Sequence, residues 1–309
     1  MALEWPTETV LAKEPVAPWF QTQSNYVLDF HGDPVQAKLV VFSDGNHHMA
    51  LLDALNAFYL DHADVEDVFY ATTPPYPIVK VLQEGGIRIG NLILSLRPHV
   101  FISPPRILDR LRSEGFLPSH QLLACNQGSV LLIRRRNSKH IRSLADLMRR
   151  DVRLFISNPE TERVSYEGYR QTLEGVARRL GLDVAAFNAA VFGETAVWGQ
   201  RIHHREAPEA LAAGQAEAAI VYYHLALRYT RIFPGLFDFI PLGGTKELPQ
   251  PYPENRIAAI HLGLIDGGGP WGRCFVEFMQ SRTVADLYAA HGLCHALDLT
   301  PAGAYAGAR

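Results

Sequence analysis

Apolar and polar positions along this chain fall into two periods that take turns. "AKLVVFS", residues 37–43, is a run of apolar, β-favouring residues and reads as a strand. It breaks at Ser43-Asp44-Gly45-Asn46. Two histidines follow, and from His48 the positions Leu51, Leu52, Leu55, Phe58 and Tyr59 lie on one face of a helix. "VEDVFYATT" is a second strand, ending in Thr72-Thr73-Pro74-Pro75, and a helix around "IVKVLQEG" is ended by Gly85-Gly86. "HVFIS" is a third strand, stopped by Pro104-Pro105, with "RILDRLRSEG" as the next helix. Strand and helix alternate, so the pattern predicts an α/β protein with a mostly parallel sheet.

A second series begins at "SVLLIRR". "SLADLM" reads as a short helix, with Ser143 as N-cap and Asp146 at the capping-box position. "VRLFIS" is a strand, and Asn158-Pro159-Glu160 follows it. Tyr166, Tyr169, Leu173, Val176 and Leu180 then step by three and four along an amphipathic helix. "APEALAAG" is a short helix closed by Gly214, "EAAIVYY" a strand, and "WGRCFVEFMQSRTVADLYAAHGL" one or two further helices. Residues 1–36 read as an extension in which Pro6, Pro15, Pro18 and Pro34 break regular structure. No internal repeat is visible.

With 309 residues, 48% of them hydrophobic, the chain can bury a sizeable core, and its length favours two lobes. The formal net charge of −3 carries no basic bias, which argues against nucleic acid as a partner. Arg134-Arg135-Arg136 reads as a strand running out into a solvated turn. Cys125, Cys274 and Cys294 are odd in number and far apart, so they read as apolar thiols, not as a disulfide framework or a cysteine metal site. No apolar run reaches the length of about 18 residues that spans a membrane. The first twenty residues lack the basic and apolar regions of a signal peptide, so the expectation is either a cytoplasmic protein or one whose leader has been removed.

Neither GxGxxG after a strand, GxxxxGK[ST], HExxH nor GxSxG occurs, and "IDGGGPWG" reads as a loop. What repeats is a strand, then small polar residues, then a helix start. It occurs at Ser43–Asn46, at Thr72-Thr73, at Ser103 and from Asn158 to Gly168. Helix N-termini expose unpaired N–H groups and partial positive charge, and several together suit an anion or carboxylate. In open α/β sheets ligands bind beyond the carboxyl ends of the strands. Ordinary helix capping is the competing account of each loop.

The order of these features resembles the type II periplasmic solute-binding proteins, most nearly the molybdate-binding branch, over about residues 37–293. "RPHVFIS", "LLIRRRNSKHIRSLADL", "FISNPETERVSYEGYRQTLE", "EALAAGQAEAAIVYYHLA" and "FMQSRTVADLYAAHGL" are similar to segments of that family in the same order. The resemblance implies a two-lobed α/β fold with a ligand cleft between the lobes. Residues 37–125 and 236–309 would form the first lobe and 126–235 the second, with crossovers near Leu122–Val130 and Leu225–Ile240. It implies capture of a small polar, anionic solute, a membrane ABC transporter as partner, a monomer, no cofactor and no catalysis. A periplasmic site of action follows if a leader is removed.

The resemblance also places residues at the ligand. Ser43 matches the first site serine, and Thr72 or Thr73 stands where the second falls. Ser165, Tyr166 and Glu167 match a backbone loop before Gly168, and Tyr223 or Tyr222 matches the site tyrosine. The departures are Asp44, Asn46, His47 and His48 in a loop that the family keeps small and hydroxyl-rich, and His203-His204-Arg205 at a helix start expected to face the cleft. An Asp44 carboxylate would repel a molybdate dianion at close range unless it is turned away or paired.

The two histidine pairs admit three readings. They cap helices, they bind an anion, or one from each pair ligates a transition metal with Asp44 or Glu206 completing the shell. Two further accounts of the whole chain are an enzyme on the same fold with a cleft histidine as general base, and a cytoplasmic ligand sensor.

Overall fold

The structure is a computed structural model that describes residue 3 and residues 29–73, 75–89, 91–200 and 202–299, with the side chains of residues 76, 87–89 and 92 not described. Pro6, Pro15 and Pro18 of the expected extension, and the residues after 299 assigned to the first lobe, lie outside the described residues.

In chain order the elements are β1 (Asp29–His31), β2 (Leu39–Ser43), α1 (His48–Asp61), β3 (Val68–Thr72), α2 (Pro75–Glu84), β4 (Ile87–Ile89), β5 (Leu92–Leu94), β6 (Val100–Ser103), α3 (Pro105–Ser113) and β7 (Gln121–Cys125). There follow β8 (Ser129–Arg134), β9 (Leu154–Ile156), α4 (Arg163–Arg179), α5 (Val184–Val191), β10 (Val197–Trp198), α6 (His203–Ala213), β11 (Ala218–Tyr222), α7 (Tyr223–Ile232) and β12 (Phe237–Pro241). The chain closes with β13 (Ala259–Leu264), α8 (Gly269–Phe278), α9 (Arg282–Ala290) and β14 (Cys294–His295). It divides into two compact units. One runs to Cys125 and resumes at Ala259; the other is Asn126–Ala258.

The first unit is built on a sheet of order β1-β3-β2-β6-β13-β7-β14. β2 runs parallel to both β3 and β6, while β1, β13, β7 and β14 pair antiparallel to their neighbours. Successive side chains of a strand point to opposite faces. Leu39 and Val41 accordingly pack with Leu51, Leu55 and Phe58 of α1, and with Phe275 of α8 and Tyr288 of α9. Val40, Phe42 and Phe101 pack instead with Ile78 and Leu82 of α2, and with Leu108 and Leu111 of α3. So neighbouring strands β2 and β6 send their following helices to opposite faces. That is a switch point, the place where open α/β sheets leave a crevice at the strand ends. β4 and β5 form a separate two-stranded hairpin.

The second unit repeats this plan on a sheet of order β10-β9-β11-β8-β12. Leu131, Leu154, Ile156 and Ile220 face Tyr169, Leu173 and Val176 of α4 and Phe187 of α5. Leu132, Phe155, Ala219 and Val221 face Ala207 and Leu211 of α6 and Ala226 and Tyr229 of α7. Parallel neighbours β9 and β11 are followed by α4 and α7 on opposite faces, giving this unit its own switch point.

The structure differs from the sequence pattern in four places. Both sheets are mixed, because β8, β12 and β13 enter antiparallel to their neighbours. Asp29–His31, expected in a structureless extension, is an edge strand on β3. "SLADLM" is a single 3-10 turn, Leu144–Met148, closed by the Ser143–Asp146 capping box; so short a segment suits the tighter helix. Residues 236–258, expected in the first lobe, stay with the second unit: β12 pairs with β8 from Phe237↔Arg134 to Pro241↔Val130. The segment that follows β12 is held there by two buried asparagines. Asn255 bonds both backbone groups of Ser129, and Asn126 Oδ1 accepts from Ala258 N–H at 3.0 Å.

Candidate functional site

In the first unit the parallel strands β2, β3 and β6 end side by side. Ser43 is in register with Thr72 and with Ile102. The ladder continues one step further, with Asp44 N–H donating to Ile102 C=O at 3.0 Å and Thr73 N–H to Ser43 C=O at 3.1 Å. Ser43, Asp44, Thr72, Thr73 and Ser103 are therefore gathered at one end of the sheet, and all five are buried. Asp44 Oδ1 and Ser103 Oγ have no hydrogen-bond partner there. A buried polar atom without a partner is costly, and two of the several such side-chain atoms among the described residues lie at this one strand end. Burial pushes the Asp44 carboxyl up to about 7.

Ser43 and His47 are tied to each other instead. Ser43 Oγ donates to Asp44 C=O at 2.9 Å and lies 2.9 Å from His47 Nε2. His47 Nδ1 lies 2.9 Å from the Tyr288 hydroxyl. With the serine proton directed to Asp44 C=O, Nε2 of a neutral ring donates and Nδ1 accepts from Tyr288. Asn46 and His48 are half-buried, and His48 Nδ1 lies 2.8 Å from Gly45 C=O.

Side-chain helix capping accounts for neither Asp44 nor Ser103. α1, α3, α4, α6 and α7 all begin without a side-chain cap, whereas Asp183 and Ser281 do cap α5 and α9. Neither Asp44 nor Ser103 bonds a helix amide.

In the second unit the corresponding strand end carries a residue that the sequence pattern does not single out. Ser157, one position beyond β9, is fully buried and its Oγ has no hydrogen-bond partner. The signal is present in the chain: Phe-Ile-Ser occurs at 101–103 and again at 155–157, each time with a core isoleucine followed by a serine at the strand end. Ser165, Tyr166 and Glu167 are half-buried within α4, not in a loop, and Gly168 is helical too. The first helical bond is Tyr166 N–H to Glu162 C=O at 3.0 Å, so the amides of Arg163 to Ser165 precede it. The Tyr166 ring sits edge-on to Phe192 and Trp198. Of the two candidate tyrosines, Tyr222 ends β11, with its ring beside those of Tyr169, His204 and His224. Tyr223 is buried against Phe239 in the apolar core.

His203 and His204 do not act as a pair. His203 is fully buried, its Nε2 2.6 Å from Ile220 C=O and its ring stacked on Phe155. Burial lowers it to about 4, so the ring is neutral and Nε2–H donates. His204 and Arg205 are half-buried on the first turn of α6. Glu162 Oε1 accepts from His203 N–H at 3.1 Å, and burial raises this carboxyl to about 7. Glu206 is occupied with Gln200 N–H and Ile202 N–H at the start of the same helix. Among the described residues no group of three or more His, Cys, Asp or Glu is arranged to hold a metal ion.

The family model described as bacterial extracellular solute-binding protein matches residues 40–293. The chain belongs to that family. It is a family of binding proteins, not of enzymes. Its fold is that of solved type II periplasmic binding proteins. The substrate-binding protein of an ABC transporter from Agrobacterium tumefaciens aligns with a TM-score of 0.61 at 13% identity, over 86% of this chain and 83% of that one. The periplasmic molybdate-binding protein of Azotobacter vinelandii aligns at 0.56 and 17%, over 83% and 98%. The sulfate-binding protein of Mycobacterium tuberculosis H37Rv aligns at 0.58 and 16%, over 86% and 88%. Comparison with curated protein sequences returns no match. No helix among the described residues is long and apolar enough to cross a membrane.

Proposed function

We propose that this protein captures a small polar, anionic solute, an oxyanion or a carboxylate, outside the cytoplasm and delivers it to an ABC-type membrane transporter. The observation that carries this reading is the set of buried, unpartnered side-chain oxygens at the strand ends: Asp44 Oδ1 and Ser103 Oγ in the first unit, Ser157 Oγ in the second. A solute bound at such a strand end would supply the missing partner there. Ser43, Thr72 and Thr73 complete the first set; the α4 amides before Tyr166, with Ser165, Glu167 and Tyr222, complete the second. His47 and His203 serve as supports, since each ring is held inside its own unit. The solved relatives whose names give molybdate and sulfate favour an oxyanion, and the uncapped helix starts suit one.

Thermal-shift screening against oxyanions, carboxylates and divalent metals tests the reading. A ligand bound only by the native state at 100 times its dissociation constant adds about 2.7 kcal/mol. A panel in which no oxyanion or carboxylate raises the melting temperature would defeat it. A hit among the metals alone would replace it with metal capture.

A further inference from the structure

Asp44 has no explanation in the fold. It stands at the carboxyl end of β2, beside β6, only 3% exposed. Its backbone N–H extends the ladder to Ile102, but its side chain caps no helix. The nearest cation-forming group, His47 Nε2, is 3.6 Å from Oδ1, beyond hydrogen-bonding distance. That nitrogen is already directed to Ser43 Oγ at 2.9 Å. Oδ1 thus remains a buried acceptor without a donor, next to a strand whose last residue, Ser103, carries a second buried polar atom in the same condition.

The chemistry of these two atoms differs. The serine hydroxyl can donate or accept, so it can serve any polar ligand. An ionised carboxylate only accepts. A fully ionised oxyanion also offers only acceptors, and two acceptor-only groups in a buried site repel without a proton between them. A solute that presents an O–H or N–H to Oδ1 turns that repulsion into a charge-assisted hydrogen bond.

We infer that Asp44 is the specificity-determining residue of the site, and that it selects solutes carrying a hydrogen-bond donor next to their negative charge, such as a protonated oxyanion or a hydroxy-carboxylate, over aprotic anions of the same shape. The inference rests on the solute-binding reading above and sharpens it. Burial raises the carboxyl to about 7, so the selection operates where the group is ionised, above that pH; below it the carboxyl's own proton can be donated to an aprotic anion. A buried acceptor that rejects ligands lacking the donor discriminates more strongly than a difference in size does.

Matched pairs of probes test it at pH 8: inorganic phosphate against sulfate, and lactate against propionate. Hydrogen phosphate and sulfate are tetrahedral dianions of which only the first carries a proton, and lactate differs from propionate by one hydroxyl group. Titration calorimetry on the purified chain, the Asp44→Asn variant and the Ser103→Ala variant gives the preference within each pair. The parent is expected to bind the donor-bearing member of at least one pair tenfold or more tightly than its partner. Asp44→Asn, which replaces an acceptor with a group that also donates, is expected to cut that preference tenfold or reverse it. Ser103→Ala is expected to weaken both members alike. Equal or tighter binding of sulfate or propionate by the parent overturns the inference while leaving the solute-binding reading intact. So does an unchanged preference in Asp44→Asn. Absence of binding by all four probes, with a thermal-shift panel equally silent, overturns the solute-binding reading and this inference with it.

Discussion

His47 holds Ser43 from inside the first unit: its Nε2 lies 2.9 Å from Ser43 Oγ, while its Nδ1 lies 2.9 Å from the Tyr288 hydroxyl on α9. In the sequence, the resemblance places Ser43 at the ligand, while His47 stays open among a helix cap, an anion contact and a metal ligand. In the fold the ring acts on the hydroxyl, and the hydroxyl carries the effect to the strand end. Ser43→Ala removes the Oγ that meets Nε2 and that donates to Asp44 C=O. It is expected to cost about 0.5–1.5 kcal/mol for each bond lost in denaturant unfolding, more than an exposed serine would. In a double-mutant cycle with His47→Phe the second substitution should add less than its own single cost, because the Ser43–His47 contact it breaks is already gone. Strict additivity would separate the two residues.

Asp44 and His203 should impose opposite pH dependences on stability. Asp44 is raised from 3.8 to about 7, so the native state keeps its proton while the unfolded chain loses it. Stability therefore falls as pH rises from about 4 to 7 and levels off above, by roughly 1.4 kcal/mol for each pH unit crossed between those two values. Glu162, also raised to about 7, acts in the same direction. His203 is lowered from 6.5 to about 4, so the unfolded chain binds the proton first. Its contribution is complete above 6.5 and is lost as pH falls toward 4. Unfolding curves between pH 4.5 and 8 should show the advantage of Asp44→Asn over the parent widening with pH. A constant difference across that range would mean that the carboxyl titrates normally.

Asn255 is expected to be a stability residue in the second unit. Its Oδ1 accepts from Ser129 N–H and its Nδ2 donates to Ser129 C=O, both at 2.8 Å, so one amide stands in for a strand partner. Gly128, at φ +75°, lets the amide approach; a Cβ there would come within 2.7 Å of it. Asn255→Ala removes both bonds in a buried place and should cost about 2–4 kcal/mol. Asn255→Asp keeps only the acceptor and should recover less than half of that. A loss below about 0.5 kcal/mol for the alanine variant, the low end for a single hydrogen bond, would show that water replaces the amide.

The alternation of strand and helix was legible because it follows from which faces are buried. Val40 and Phe42 face one helix layer and Leu39 and Val41 the other, as their spacing required. The pairing of distant strands was not legible. Nothing local in Phe237–Pro241 says that it returns to β8 rather than to the first sheet; that depends on Asn255 and on register, which are long-range facts. At the site, the residue types at Ser43, Asp44, Thr72 and Ser103 were visible as a recurring strand-end pattern. Which of them lacked a partner was not, since it turns on side-chain direction. That His203 and His204 diverge follows from their adjacency on a helix; that His203 turns to Phe155 in the core and His204 to Tyr222 does not.

The unpartnered serines lead to the last prediction, in which stability and binding part company. Ser103 Oγ and Ser157 Oγ are buried without a hydrogen bond, and each desolvated hydroxyl holds the unliganded protein below the stability it would otherwise have. Replacing either with alanine removes the polar atom and opens little volume. Ser103→Ala and Ser157→Ala are therefore expected to stabilise the unliganded chain by several tenths to about 1 kcal/mol. The same substitutions remove a partner for the solute, so affinity should fall by about 1.5–3 kcal/mol for a bond to a charged ligand. A gain in melting temperature joined to a loss in affinity is the signature of a residue kept for binding at a cost to the fold. The check is to measure both quantities on the same preparations, unfolding without ligand and calorimetry with whichever probe the parent binds. If either variant melts lower than the parent and binds as tightly, its hydroxyl has a structural partner and no part in the site.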